Sequence, residues 1–202
     1  MPIIIDYSSC NFRSICYKLK TIGIDSKVSN NKKDIESADY LILPGIGYFS
    51  NCIKKIRGLD LIDLLNYKVI DKKTPILGIC LGAQFFMEKS EEGNADGFGW
   101  IKGNVKKFNS SISLPIPHIG WDEIDAKKDC ILFKDIPSNF RFYFTHSYHM
   151  CCSNKEDIVS ISNYGYDFVS SVQKDNIFGV QFHPEKSHLL GIKVIENFIK
   201  YA

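Results

Sequence analysis

A cysteine flanked by glycines is the first feature of the sequence that could carry out chemistry. Cys80 lies in Gly78-Ile79-Cys80-Leu81-Gly82, between a short apolar run and a predicted helix. A nucleophile at a tight strand-to-helix turn adopts strained backbone angles, and flanking glycines let neighbouring chain approach without Cβ clashes. The helix start favours a thiolate, and the amide of Leu81 would point towards an oxyanion. The pattern predicts a thiol nucleophile; the alternative is a small buried cysteine beside two packing glycines.

The base that such a nucleophile needs is predicted at His183. This histidine follows an alternating apolar run in segment 179–187, at the carboxyl end of a predicted strand, where α/β folds bind ligands. Pro184 disfavours helical angles for the preceding residue, and residues two apart in extended chain face the same side. Glu185 is therefore predicted to orient the ring of His183, which gives a Cys80–His183–Glu185 triad. The alternative is a turn with a solvated histidine.

The first half of the chain predicts strands and helices in alternation. Strand-like apolar runs occur at 3–5, 40–43 and 76–79. Apolar residues recur at helical spacing over four segments: 12–22, 49–57, 60–70 and 81–89. Strands separated by helices imply parallel pairing with right-handed crossovers.

The second half predicts a different arrangement. Six segments are rich in β-branched and aromatic residues and read as strands: 99–108, 116–124, 141–149, 158–162, 168–173 and 177–182. A last amphipathic helix is predicted over 187–201. We therefore predict an α/β fold with one domain, 1–202, in which helices flank a mixed sheet in three layers.

Composition excludes several classes of function. A net charge of +2 in 202 residues gives no electrostatic reason to expect a nucleic acid or a membrane as partner. The seven cysteines include no C-x-x-C pair, which argues against a structural zinc site. No apolar run reaches the roughly 18 residues of a membrane span, and the start does not resemble a signal peptide. We expect free thiols in a reducing cytoplasm.

Segments 78–84 and 181–187 together resemble the class I (triad) glutamine amidotransferases, whose fold is flavodoxin-like. Within that family, the chain is similar to the glutaminase subunits of imidazole glycerol phosphate synthase. Three further segments support the resemblance: Pro-Gly-Ile-Gly at 44–47, Pro-His-Ile-Gly-Trp at 117–121 and Tyr-Phe-Thr-His-Ser-Tyr at 143–148. They stand in the family's order and span nearly the whole chain.

The resemblance implies roles for further residues. Ile46 and Gly47 would stabilise the oxyanion together with the amide of Leu81. The amino-acid end of the glutamine substrate would be held by five residues: Gln84, Glu92, His146, Ser147 and Tyr148. Asn11 and Trp121 would face the partner near the ammonia entrance. The family's chemistry requires no metal and no organic cofactor.

The partner that the resemblance implies is a (β/α)₈-barrel cyclase. The two would form a heterodimer that makes imidazole glycerol phosphate and AICAR in histidine biosynthesis. Two departures on the predicted partner face leave the choice of partner open. Segment 6–11 lacks both glycines of the family's Asp-Tyr-Gly-x-Gly-Asn, and the family's Gly-Trp-Asn becomes Gly120-Trp121-Asp122.

Three alternatives for the function therefore remain. The first is a paralogous subunit that supplies ammonia to a synthase amidating a sugar for surface polysaccharide. The second is a stand-alone cysteine hydrolase acting on γ-glutamyl compounds. The third is a non-catalytic docking subunit, against which the intact triad pattern argues.

Overall fold

The computed structural model describes residues 1–7, 12–137 and 140–202. The α-helices in this part of the chain are α1 (Phe12–Thr21), α2 (Lys32–Glu36), α3 (Phe49–Gly58), α4 (Ile62–Asn66), α5 (Leu81–Gln84) and α6 (His188–Tyr201). A π-helical turn, Tyr67–Asp71, continues α4, and 3-10 turns lie at Ile131–Phe133, Lys155–Asp157 and Pro184–Lys186. Among the described helices, none combines the length and the apolarity needed to cross a membrane.

The strands in chain order are β1 (Pro2–Ile5), β2 (Lys27–Ser29), β3 (Tyr40–Gly45), β4 (Ile76–Cys80), β5 (Lys89–Ser90), β6 (Ala95–Asp96), β7 (Gly103–Lys107), β8 (His118–Glu123), β9 (Asp125–Ala126), β10 (Arg141–His146), β11 (Tyr148–Cys152), β12 (Ile158–Asn163), β13 (Asp167–Lys174) and β14 (Ile177–Val180). The main sheet has the order β2-β1-β3-β4-β14-β13-β11-β7-β5-β6. Its first five strands are parallel, and β13 and β11 continue it antiparallel. The predicted mixed sheet is confirmed.

Helices cover both faces of the parallel half of this sheet. Alternate residues of β1 belong to opposite core clusters: Ile3 and Ile5 to one, Ile4 to the other. The first cluster also contains residues of α3 and α4, and the second contains residues of α1 and α6. Strands buried on both faces account for the continuous apolar runs in the sequence. The predicted three-layer arrangement is therefore confirmed.

Two predicted elements differ from the structure. The helix expected over 81–89 ends at Gln84, because the buried residues 85–87 use their carbonyls elsewhere. These carbonyls accept hydrogen bonds from segment 98–101, for example from Phe98 N to Phe85 O at 2.7 Å. The strand expected over 141–149 is two strands, since β10 pairs with β8 in a separate sheet whereas β11 joins the main sheet.

Candidate active site

Three neighbouring parallel strands end at the same edge of the main sheet. Gly45, the last residue of β3, is paired with Cys80, the last residue of β4. On the other side, Val180 at the end of β14 is paired with Ile79. This topology brings together the loop after β3, the cysteine and the segment containing His183, which are far apart in sequence.

Cys80 occupies the tight strand-to-helix turn that its flanking glycines predicted. Its φ of 54° and ψ of −112° lie outside the regions that residues with a Cβ favour. A Cβ on Gly82 would stand 1.8 Å from the carbonyl oxygen of Leu43, so only glycine fits there. Because α5 has only a single turn, it does not provide the long helix dipole that would stabilise a thiolate at its start.

His183 and Glu185 form a buried pair. Nδ1 of His183 lies 2.8 Å from Oε1 of Glu185, and both side chains are almost fully buried. The expected extended backbone is present at His183, where φ is −101° and ψ is 93°. It does not continue, because Pro184 starts a 3-10 turn that contains Glu185. The predicted contact between His183 and Glu185 is therefore present, but the reason given for it was wrong. The 3-10 turn brings the two side chains together, rather than an extended backbone.

The surroundings of His183 favour its charged form. Burial disfavours the charged ring, but the nearby Cys80 sulfur, followed by Glu185, outweighs burial and raises the pKa of His183 to about 10. Since Nδ1 contacts Glu185, the buried Nε2 is the ring nitrogen left to interact with the Cys80 sulfur. This arrangement suits an imidazolium beside a thiolate, in which the histidine holds the proton that a leaving group would need.

Cys80 opens into a cavity of about 250 Å³. The eight residues predicted to stabilise the oxyanion or bind substrate all line it: Ile46, Gly47, Leu81, Gln84, Glu92, His146, Ser147 and Tyr148. A larger cavity, of about 980 Å³, lies along segments 123–137 and 161–173 and contains no predicted site residue. The smaller cavity is the candidate site because it adjoins the strained cysteine.

Glu92 supplies an acidic group at the wall of this cavity. Its Oε2 accepts a hydrogen bond of 2.8 Å from the backbone N–H of Phe49, the first residue of α3. Burial raises the pKa of Glu92, and the bond from Phe49 opposes that shift. A fixed carboxylate here could receive the ammonium group of an amino acid.

Of the two residues predicted at the partner face, only Trp121 lies within the described part of the chain. Trp121 lies on β8 with 37% of its surface exposed, and its ring stacks on His188 with centroids 4.8 Å apart. Asn11 lies outside the described residues. Within residues 1–7, 12–137 and 140–202, no group of three His, Cys, Asp or Glu side chains could hold a metal ion.

Gln181 is a site residue to which the sequence analysis gave no role. It is fully buried, and its Nε2 lies 3.7 Å from the sulfur of Cys80. Its Oε1 accepts a 3.1 Å hydrogen bond from Nε2 of Gln84. Two signals in the sequence could have identified Gln181. In extended chain it lies on the same side as His183, and it is a polar residue directly after a buried strand. Thr145, which also lines the cavity, has no such signal.

Gln181→Glu is expected to slow alkylation of Cys80 by roughly ten- to hundredfold, the range for a hydrogen bond to a charged group. The substitution keeps the acceptor for Gln84 but turns the N–H facing the sulfur into a carboxylate oxygen, which repels a thiolate. The measurement is the rate of iodoacetamide labelling as a function of pH. Gln173→Glu, in a half-buried position on β13, is the matched control. Equal rates in all three proteins would contradict a role for Gln181 at the sulfur.

Known proteins resemble this chain over almost its whole length. The family model for glutamine amidotransferase class-I matches residues 3–201. A relative from Methanococcus maripaludis named imidazole glycerol phosphate synthase subunit HisH 2 is 45% identical over 202 residues, which cover 100% of both chains. One from Leptospira borgpetersenii, named imidazole glycerol phosphate synthase subunit HisH, is 42% identical and covers 96% of this chain and 97% of its own.

The fold agrees as well. A crystal structure of a glutamine amidotransferase, 17% identical, matches with a TM-score of 0.76 and covers 98% of this chain and 97% of its own. The family model and the relatives extend over nearly the whole sequence, including the segments that contain Cys80 and His183. The chain therefore belongs to the class-I glutamine amidotransferase family.

Proposed function

We propose that this chain is the glutaminase subunit of an imidazole glycerol phosphate synthase and acts in histidine biosynthesis. The observation that carries the proposal is the buried His183–Glu185 pair beside Cys80, whose side chain lines a cavity of about 250 Å³. Drug-sized ligands occupy about 300–1,000 Å³, so this cavity suits one amino acid. The names of relatives that are 42% and 45% identical support the pathway.

The reaction begins when the thiolate of Cys80 attacks the side-chain amide carbon of glutamine. Backbone N–H groups of Leu81 and of the loop at Ile46 and Gly47 stabilise the oxyanion that forms. His183, held by Glu185, donates its proton to the departing nitrogen, and ammonia leaves. The product of this step is a γ-glutamyl thioester on Cys80.

Hydrolysis completes the cycle. His183, now neutral, takes a proton from water while the water oxygen attacks the thioester carbon. The bond to sulfur breaks, glutamate leaves, and the thiolate–imidazolium pair is restored. At the cavity wall, Glu92 holds the ammonium group of glutamine, and Gln84 with segment 146–148 holds the rest of its amino-acid end.

The ammonia passes to a partner subunit. That partner is a (β/α)₈-barrel cyclase, which docks on the face containing Trp121 and forms a heterodimer with this chain in the cytoplasm. The half-exposed indole of Trp121, stacked on His188 at the start of α6, gives this face an apolar anchor. The whole chain, 1–202, acts as one amidotransferase domain.

Glutamate release is expected to rise at least about tenfold when the cyclase of the same organism and its ribonucleotide substrate are added, since coupling between sites is typically 5–150-fold. Release is measured from glutamine by the purified chain, alone and then with the partner. A complex with Cys80→Ser is the matched control. It should still make product from added ammonium while losing the reaction with glutamine.

The outcomes separate the alternatives. Lack of stimulation, with a cyclase that is competent with ammonium, would contradict the histidine-pathway proposal and favour the sugar-amidating synthase. Full release of glutamate without any partner would favour a stand-alone hydrolase. Unchanged glutamine-dependent synthesis in the Cys80→Ser complex would remove the triad from the mechanism.

A further inference from the structure

A chain of hydrogen bonds leads from the surface residue Asp122 to the cavity wall through two buried histidines. Oδ2 of Asp122 lies 2.6 Å from Nε2 of His118. Nδ1 of His118 lies 3.2 Å from Nε2 of His146, its cross-strand partner on β10. Nδ1 of His146 lies 2.9 Å from the backbone oxygen of Tyr148. His118 is fully buried and His146 nearly so, whereas the side chain of Asp122 is 38% exposed.

The hydrogen-bond chain from Asp122 to Tyr148 contains three contacts, but two neutral imidazole rings supply only two protons. A neutral imidazole donates through one nitrogen and accepts through the other. Both ends of the chain are acceptors, the carboxylate of Asp122 and the carbonyl of Tyr148. With both rings neutral, one of the three contacts therefore places two lone pairs against each other. A single additional proton in the chain satisfies all three contacts at once.

We infer that Asp122 and His118 are positioning residues for the glutamine cavity, and that they fix its wall fully only when their pair carries this additional proton. The inference rests on the proposed function, because the group that they position is a wall of the proposed glutamine site. In the chain without its partner, the proton enters from solvent at the carboxylate of Asp122, whose side chain is 38% exposed.

The inner end of the chain is part of the cavity itself. His146 and Tyr148 both line it. The carbonyl of Tyr148 also accepts a 2.8 Å hydrogen bond from Nε2 of Gln84, which in turn bonds Gln181 beside the Cys80 sulfur. A change in the position of His146 therefore acts on the same carbonyl that holds Gln84.

The outer end lies on β8 next to the partly exposed Trp121. Aromatic rings enclose the middle of the chain. His118 stacks between Phe144 and Tyr164, with centroid distances of 5.0 and 4.0 Å, and Phe108 and Phe168 meet its edge. This packing fixes the ring planes, so the contacts depend on protons rather than on rotation of the rings.

Titratable groups from several elements lie close to the two rings. They are Asp122 on β8, Tyr164 stacked on His118, His149 on β11, and His183, whose charge acts on His146. Burial lowers the pKa of His118, and Asp122 opposes that shift. Burial also lowers the pKa of His146, and the nearby histidines add to that effect. The additional proton is thus bound at low pH and lost as pH rises. Without it, the longest of the three contacts, between His118 and His146, loses its hydrogen bond.

Asp122→Asn is the direct test, because the amide can donate a hydrogen bond to Nε2 of His118. Both rings can then stay neutral with every contact satisfied. Nitrogen NMR of labelled histidine side chains, assigned with His118→Gln, is recorded between about pH 5 and pH 8, the range in which histidine titrates. In the wild type, His118 is expected to gain its second proton as pH falls. In Asp122→Asn it should remain the neutral Nδ1–H form throughout.

Glutamine affinity gives the second readout. In a Cys80→Ser background, which removes turnover, the dissociation constant for glutamine is expected to rise about three- to tenfold with pH, the effect of one net hydrogen bond. Adding Asp122→Asn should abolish that rise. Asp125→Asn is the matched control and should behave as the wild type. It removes an exposed carboxylate on β9 that forms an ion pair with Lys127.

The outcomes separate this inference from the proposed function. Identical titration of His118 in wild type and Asp122→Asn overturns the inference, as does the same pH dependence of glutamine affinity in both. Failure of both proteins to bind glutamine would overturn the proposed function instead, and the histidine signals would still decide whether the proton is held in the chain.

Discussion

Cys80→Ser is expected to reduce glutamate release at least about a thousandfold, within the range seen when a nucleophile of a catalytic triad is removed. A serine hydroxyl at this position is protonated, whereas the cysteine has a neighbouring imidazolium that stabilises its thiolate. The isosteric change leaves the turn and its buried neighbours in place, so the free energy of unfolding should change by less than about 1 kcal/mol. Release is measured as glutamate formed from glutamine in the complex with the partner.

His183→Ala is expected to cause a loss of similar size, because without it neither the thiolate nor the leaving nitrogen has a proton partner. Glu185→Gln should cost less, since the amide still contacts Nδ1 of His183 but no longer stabilises its charge. Cys16→Ser, at a partly buried thiol on α1, is the control and should retain full release. Wild-type turnover by either of the first two variants would remove the triad assignment.

Residues that are local in sequence made the candidate site predictable. A G-x-C-x-G element predicts a tight turn at the cysteine. The observed turn requires glycine at Gly82, which lies against the carbonyl of Leu43. Likewise, His183 and Glu185 are two residues apart, and both an extended chain and the observed 3-10 turn bring them into contact. The rule that α/β folds bind ligands at the carboxyl ends of their strands then predicted the edge of the sheet at which His183 lies.

Contacts between distant segments were not predictable. The helix after Cys80 stops at Gln84 because carbonyls of residues 85–87 bond a loop more than ten residues away. Hydrophobic spacing within 81–89 contains no information about that loop. Similarly, only the pairing of β8 with β10 places His118 opposite His146, and the sequence showed no reason for β10 and β11 to join different sheets. Periodicity gives the face of a strand but not its partner.

Gly82→Ala is expected to destabilise the protein by about 3 kcal/mol or more, at the upper end of the usual cost of overpacking. The added Cβ would stand 1.8 Å from the carbonyl oxygen of Leu43 and 2.8 Å from its carbonyl carbon. That backbone cannot move aside easily, because β3 is hydrogen-bonded between β1 and β4 in the centre of the parallel sheet. For a chain of this size, the melting temperature should fall by about 6–12 °C.

Glutamate release should fall in the same variant, because any displacement of β3 moves the loop that follows it at Ile46 and Gly47. Gly58→Ala is the matched control. No heavy atom lies within 4 Å of a Cβ added at Gly58, and alanine favours the end of α3, where the residue lies. Its melting temperature should stay the same or rise slightly. If Gly82→Ala melted and turned over like Gly58→Ala, the close approach of β3 to the start of α5 could not be what shapes the cysteine turn.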